Sequence, residues 1–145
     1  MILPDVNVLI YAFRSDSMDH LRYKAWLDEV LNGDQIYGIS EYVLGSFLRI
    51  VTNARIFNNP SSLQEALAFT DVVRSQPHCA LIKPGDAHWK VFVELCQKTG
   101  ARGNHVADAY LAALAIESGS EWITTDRDYA RYPGLRWCHP LKNET

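Results

Sequence analysis

No stretch of this chain approaches the ~20 apolar residues that a membrane-spanning helix needs. The short apolar opening, MIL, runs at once into Pro4 and Asp5, with no basic segment before it. Neither a membrane span nor a secretory signal is expected. Cysteine is scarce: Cys79, Cys96 and Cys138 are odd in number and far apart. They offer no CxxC pair for zinc and no even set for a disulfide framework, which points to reduced thiols in the cytoplasm. Positive charge is not in excess either. Lys and Arg total 14 against 17 Asp and Glu, a formal net charge of −3. That excludes coating nucleic acid by bulk electrostatics. It leaves open a nucleic-acid enzyme whose acidic site recruits a cation. Internal repeats, low-complexity tracts and long linkers are also missing.

What is present is the composition of a globular protein. The 145 residues are 48% hydrophobic and 21% charged, enough for a real core in one ordinary domain. That single domain is expected over residues 1–141, with 142–145 (KNET) as a frayed tail. Strand and helix patterns alternate. MIL, Ile36–Ile39, Cys79–Ile82 and Trp122–Thr125 read as strands, with Arg136–Cys138 as a short fifth. Helical patterns cover Val8–Phe13, His20–Leu31, Ser40 to about Val51, a capping box at Ser61-Ser62-Leu63-Gln64 leading to about Arg74, the segment around Trp89–Cys96, and His105–Glu117. Leu21 falls on the apolar side of the second of these. Strands separated by helices predict an α/β fold: a three-layer α/β/α sandwich around a mostly parallel sheet of four to five strands.

Functional sites in such sheets lie at the carboxyl ends of the strands. Asp5 follows the first strand, Glu41 the second, and Asp126 the fourth. Asp108 lies near the start of a helix otherwise lined with Val, Ala, Leu and Ile. Singly, each has an ordinary account: Asp5 as a helix cap, Glu41 in a first turn favoured by the helix dipole, Asp108 in early turns, Asp126 in a turn with Asp128. Together they would repel strongly unless a cation neutralises them or some hold protons. Hard oxygen ligands favour Mg²⁺ or Mn²⁺ over zinc, and Mg²⁺ takes phosphate oxygens well. Phosphate-ester chemistry is the reading this set supports.

The stretches PDVNVLIYA, ISEYVLGSFLRIVTN, ADAYLAALAIESG and TTDRDYARYPGL, in this order, resemble the PIN-domain nucleases, and among them the VapC-type ribonuclease toxins of toxin–antitoxin pairs. No one stretch is specific; the ordered set covers nearly the whole chain. The resemblance implies an acidic pocket for one or two Mg²⁺ or Mn²⁺ ions, with Asp5, Glu41, Asp108 and Asp126 as its acids. Asn7 and Thr124 match positions that support them, and Asp128 offers a further carboxylate. It implies RNA phosphodiester cleavage by a metal-activated water, leaving a 5′-phosphate and a 3′-hydroxyl. It also implies a homodimer and a small antitoxin occluding the pocket. Some relatives carry another acid in the helix after Glu41; here that stretch reads Leu44, Gly45, Ser46.

Arg14, Arg49, Arg102 and Arg127 are candidate phosphate contacts, and each is equally well a surface charge. Arg49 lies two turns along the helix that Glu41 begins. Arg102 belongs to the basic, glycine-containing KTGARGNH before Asp108. His105 stands three residues before Asp108, on the same helical face, as a substrate contact or a structural histidine. Trp26, Trp89 and Trp122 read as core. Ile56-Phe57 reads as either core or interface.

Three other readings remain at this level. A nuclease of the same fold could act on structured DNA. A domain of the same fold could bind nucleic acid or a partner without cutting. A haloacid-dehalogenase-like phosphohydrolase also starts with Asp after its first strand, but it needs a second Asp where this chain has Asn7.

Overall fold

The computed structural model describes residues 1–141; the expected frayed tail, 142–145, lies outside them. Five short strands alternate with six helices along these residues. In chain order they are β1 (Ile2–Pro4), α1 (Val6–Phe13), α2 (His20–Asn32), β2 (Tyr37–Ile39), α3 (Glu41–Val51), α4 (Leu63–Arg74), β3 (Cys79–Leu81), α5 (His88–Thr99), α6 (Asn104–Ser118), β4 (Glu121–Ile123) and β5 (Trp137–Cys138), with a 3₁₀ turn at Arg127–Arg131 before β5.

All strand pairings are parallel. β1 pairs with β4 in the register Leu3–Trp122, β4 pairs with β5, and β2 pairs with β3 with Gly38 opposite Ala80. The hydrogen-bonded ladders are therefore β1-β4-β5 and β2-β3, a division into three and two strands rather than one continuous ladder. β1 and β2 nevertheless lie against one another. Gly38 makes that approach possible: a Cβ there would come within 2.8 Å of Ile82 Cγ1 and 3.4 Å of the Ile2 carbonyl oxygen. Parallel alignment puts the carboxyl ends of β1, β2 and β4 at one edge.

Helices flank the strands. α1 packs on α2 and α3, and α3 on α4; α5 and α6 form a second pair, with α6 also against β4. The core holds Leu3, Leu9, Tyr37, Phe47, Leu114 and Trp122, each essentially removed from water. α6 is buried over Leu111–Ala115, and its small alanines let the neighbouring elements approach closely. Helix starts follow local chemistry. Ser40 caps α3 by accepting from the Val43 N–H. Ser62 caps α4 by accepting from the Glu65 N–H, so the capping serine pairs with Glu65, one residue beyond the expected box.

Several sequence expectations need correction. Trp122 is core, but Trp89 is 68% exposed, because α5 buries His88 and Leu95 and turns Trp89 outward. Leu21 is likewise exposed, while α2 buries Tyr23 and Leu27. Ile56 and Phe57 divide: Ile56 is exposed, and Phe57 packs on the core beneath the Arg14 guanidinium, 3.8 Å from its ring centroid. Arg14 is not a phosphate contact. It is 7% exposed and its donors are taken by Asp16 (2.9 and 2.6 Å), Ser61 Oγ (2.9 Å) and the Asn59 carbonyl (3.0 Å). No helix among the described residues is long and apolar enough to cross a membrane, and no disulfide joins the three cysteines.

Candidate active site

The edge where β1 and β4 end is built around Asp5. Its backbone N–H continues the sheet by donating to the Ile123 carbonyl (2.8 Å). Its side chain caps α1, Oδ1 accepting from the Val6 N–H at 2.7 Å. Oδ2 accepts from the Thr124 hydroxyl at 2.6 Å. Asp5 is 4% exposed and Thr124 fully buried. The same Thr124 oxygen accepts from the Asp126 N–H at 3.1 Å. One hydroxyl thus joins the first acid to the loop carrying another. Thr124 is held in turn by its own N–H, which donates to the Cys138 carbonyl.

Asp126 caps the 3₁₀ turn, Oδ1 accepting from the Asp128 N–H at 2.9 Å. Asp128 is exposed, with Arg131 3.9 Å away. The turn delivers Tyr129 into the interior. It is 2% exposed, its ring lies against those of Trp122 and Tyr132, and its hydroxyl donates to Asp108 Oδ1 at 3.2 Å.

The electrostatics follow from this packing. Burial pushes the Asp5 carboxyl up to about 6; Asp108 and Asp126 add to the rise, against the hydrogen bonds from Thr124 and Val6. Asp108 is also raised, chiefly by burial and further by Asp126 and Asp128, with the Tyr129 hydroxyl and His105 opposing. Burial, then Asp5 and Asp108, raise the Tyr129 phenol. Asp108 and Asp126 thus both disfavour the charged form of Asp5, and Asp126 that of Asp108.

Glu41 behaves differently. It begins α3 at the end of β2, but its Oε2 accepts from Arg74 Nε at 3.0 Å and lies 2.9 Å from Arg74 Nη2. Both side chains are about half exposed. Asn7 lies in the first turn of α1, and its Oδ1 is buried with no hydrogen-bond partner. Among the described residues, no three His, Cys, Asp or Glu side chains stand close enough to enclose one ion. The donor chemistry still suits a hard divalent cation: the groups are oxygen donors, Asp5 and Asp108 are raised by burial and by neighbouring carboxylates, and Asn7 contributes an unsatisfied buried carbonyl.

His105 sits one helical turn before Asp108. Its Nδ1 faces Arg131 Nη1 at 2.9 Å, and its backbone carbonyl accepts from the Tyr132 hydroxyl at 3.0 Å. An arginine only donates, so the His105 ring nitrogen is the accepting partner in this contact. Arg49, Arg102 and Arg127 are exposed. Sequence reasoning missed Arg74, Tyr129, Arg131 and Tyr132 as neighbours of these groups. The last three lie in the quoted TTDRDYARYPGL, whose aromatic and basic residues were the available signal.

The profile of the PIN domain family matches residues 2–135. A VapC ribonuclease from Mycobacterium bovis is 41% identical over 145 residues, covering 100% of this chain and 99% of the relative. Ribonuclease VapC25 from Mycobacterium tuberculosis is 39% identical over 140 residues, covering 97% and 99%. Among solved structures, VapBC2 from Rickettsia felis bound to a DNA fragment from its promoter superposes with a TM-score of 0.69 at 19% identity, covering 96% of this chain and 98% of that one.

Proposed function

Since the chain belongs to the PIN-domain family, and within it to the VapC type, we infer that it is an endoribonuclease acting as the toxin of a toxin–antitoxin pair. The observation that carries this reading is Asp5 and Asp126 at the carboxyl edge of a parallel sheet, with Asp5 buried and its carboxyl raised by burial and by Asp108 of α6 and Asp126. Carboxyls raised by burial and like-charged neighbours cluster at functional sites.

The use proposed is one or two Mg²⁺ or Mn²⁺ ions. Asp5 and Asp108 would hold the cation, with Glu41 and Asp126 ligating directly or through water and Asn7 supporting the α1 turn. When bound, the ion supplies a Lewis acid for the phosphate and a nucleophilic water near neutral pH. The chain's own residues do the positioning. Thr124 fixes the Asp5 carboxylate and the Asp126 backbone together. Glu41 would bind the metal or orient the attacking water, once separated from Arg74. Arg49, Arg102 and His105 are proposed as contacts to RNA.

Further parts of the proposal are a small cognate antitoxin, a homodimer, a cytoplasmic location and a single functional domain over 1–141. The antitoxin is supported by the solved structural neighbours, among them VapBC2 from Rickettsia felis and VapBC from Salmonella typhimurium.

Purified protein free of any partner, offered a panel of structured and single-stranded RNAs and DNAs with Mg²⁺, Mn²⁺ or EDTA, tests the reading. RNA cleavage that EDTA abolishes is expected. Cleavage of DNA alone would reassign the substrate. No cleavage together with no metal binding would make the domain a binding module.

A further inference from the structure

Tyr129 has no part in the acid pattern, yet it touches that pattern from below. Its phenol ring is closed in by Trp122, 5.5 Å away between centroids, and by Tyr132 at 5.8 Å. The hydroxyl is its only polar group, and it donates to Asp108 Oδ1 at 3.2 Å. A buried phenol normally finds a partner. Here the partner is a half-buried carboxylate on a different element, reached from the 3₁₀ turn that Asp126 caps.

We propose that Tyr129 is a positioning residue for the divalent cation: its hydroxyl holds Asp108 Oδ1, fixes the carboxylate rotamer, and leaves Oδ2 for the ion. The inference rests on the metal-dependent reading above. Three features support it. The ring is 2% exposed and packed between Trp122 and Tyr132. The turn carrying it is pinned to the cluster by the Asp126–Asp128 cap and the Thr124–Asp126 bond. Among the described residues Asp108 accepts no other hydrogen bond, so the phenol is the group that restrains its carboxylate beside Asp126 and Asp128. Outer partners of metal-binding side chains typically change metal affinity by about 10- to 100-fold.

Tyr132 is the natural control. It is a neighbouring buried phenol, 3% exposed, whose hydroxyl goes to the His105 carbonyl and not to an acid. Mn²⁺ titrated calorimetrically into wild type, Tyr129→Phe and Tyr132→Phe separates the roles. The expected result is a Kd weakened by about 10- to 100-fold in Tyr129→Phe and changed less than about twofold in Tyr132→Phe. RNA cleavage by Tyr129→Phe should recover toward wild type as Mn²⁺ is raised past its new Kd. A Tyr129→Phe Kd equal to wild type overturns the inference and leaves the metal reading intact. Wild type that binds no Mn²⁺ overturns both. A second measurement needs no variant to bind: in wild-type protein with ¹³Cζ-labelled tyrosine, one buried tyrosine resonance should shift with Mg²⁺ in step with the isotherm. No tyrosine resonance moving on saturation would overturn the inference.

Discussion

The Thr124 hydroxyl donates to Asp5 Oδ2 at 2.6 Å across 119 residues of sequence. The bond ties the end of β1 to the segment after β4, and it does so inside the core, where both residues are buried. Thr124→Val keeps the shape and removes the hydroxyl. It strands the Asp5 oxygen and the Asp126 N–H, so stability should fall by about 1–3 kcal/mol. RNA cleavage should fall as well, with the mutant still folded by near-ultraviolet circular dichroism. Full activity in Thr124→Val would show that the bond is structural only.

Asp5 carries a pH signature. Its carboxyl stands at about 6 in the fold against about 3.9 in an unfolded chain. The folded state therefore holds the proton to higher pH, and ionisation destabilises it. Without metal, stability should decline as pH rises from about 4 through about 6. Asp5→Asn should remove that decline and make the metal-free protein more stable at pH 7, by roughly 2–3 kcal/mol at most, while abolishing cleavage. Chemical denaturation across this pH range in EDTA checks both. An Asp5→Asn protein less stable than wild type at pH 7 would contradict the sign.

Much of this was legible in the sequence, for physical reasons that also mark where legibility ends. Asp5, Glu41 and Asp126 follow strand patterns, and a parallel sheet fixes which edge they leave from. Ser40 and Ser62 announce helix starts through capping chemistry that is local in sequence. Trp89 is different. Its helix pattern is satisfied equally with the ring in or out, and the choice depends on whether α6 lies beneath it. Gly38 gives no sign of its role until β1 and Ile82 close on it. Tyr129 lies in a 3₁₀ turn too short to carry a period. The Glu41–Arg74 pair needs α3 and α4 already packed. Contacts that depend on two distant elements meeting stay invisible to patterns within one.

Arg74 and Glu41 form a half-exposed pair, which stabilises by no more than about 1 kcal/mol. Arg74→Ala should lower Tm by about 4 °C or less. It also removes a cation competing for Glu41. Mn²⁺ should bind up to about fivefold more tightly, the fold-change that ~1 kcal/mol gives. Calorimetry with weakened binding in Arg74→Ala would instead assign Arg74 to holding Glu41 in its working position.

Arg14 tests the corrected assignment. Its guanidinium is enclosed by Ser61, the Asn59 carbonyl and the Phe57 ring, and its partner Asp16 remains in water. Arg14→Ala should cost about 1–3 kcal/mol through lost hydrogen bonds and packing. The folded protein should cleave RNA at the wild-type rate. A normal Tm with lost cleavage would return Arg14 to the substrate contacts.

The central claim is that the acids around Asp5 hold a cation with which the chain cuts RNA. The most direct measurement is single-turnover RNA cleavage as a function of Mg²⁺ concentration, for wild type and Asp108→Asn side by side, each freed of partner and checked for folding. The account predicts a saturable rise in rate for wild type, silence in EDTA, and at least a hundredfold lower rate for Asp108→Asn at every concentration (on the order of 3 kcal/mol at the transition state). Equal rates for the two proteins, or cleavage that persists undiminished in EDTA, would contradict it.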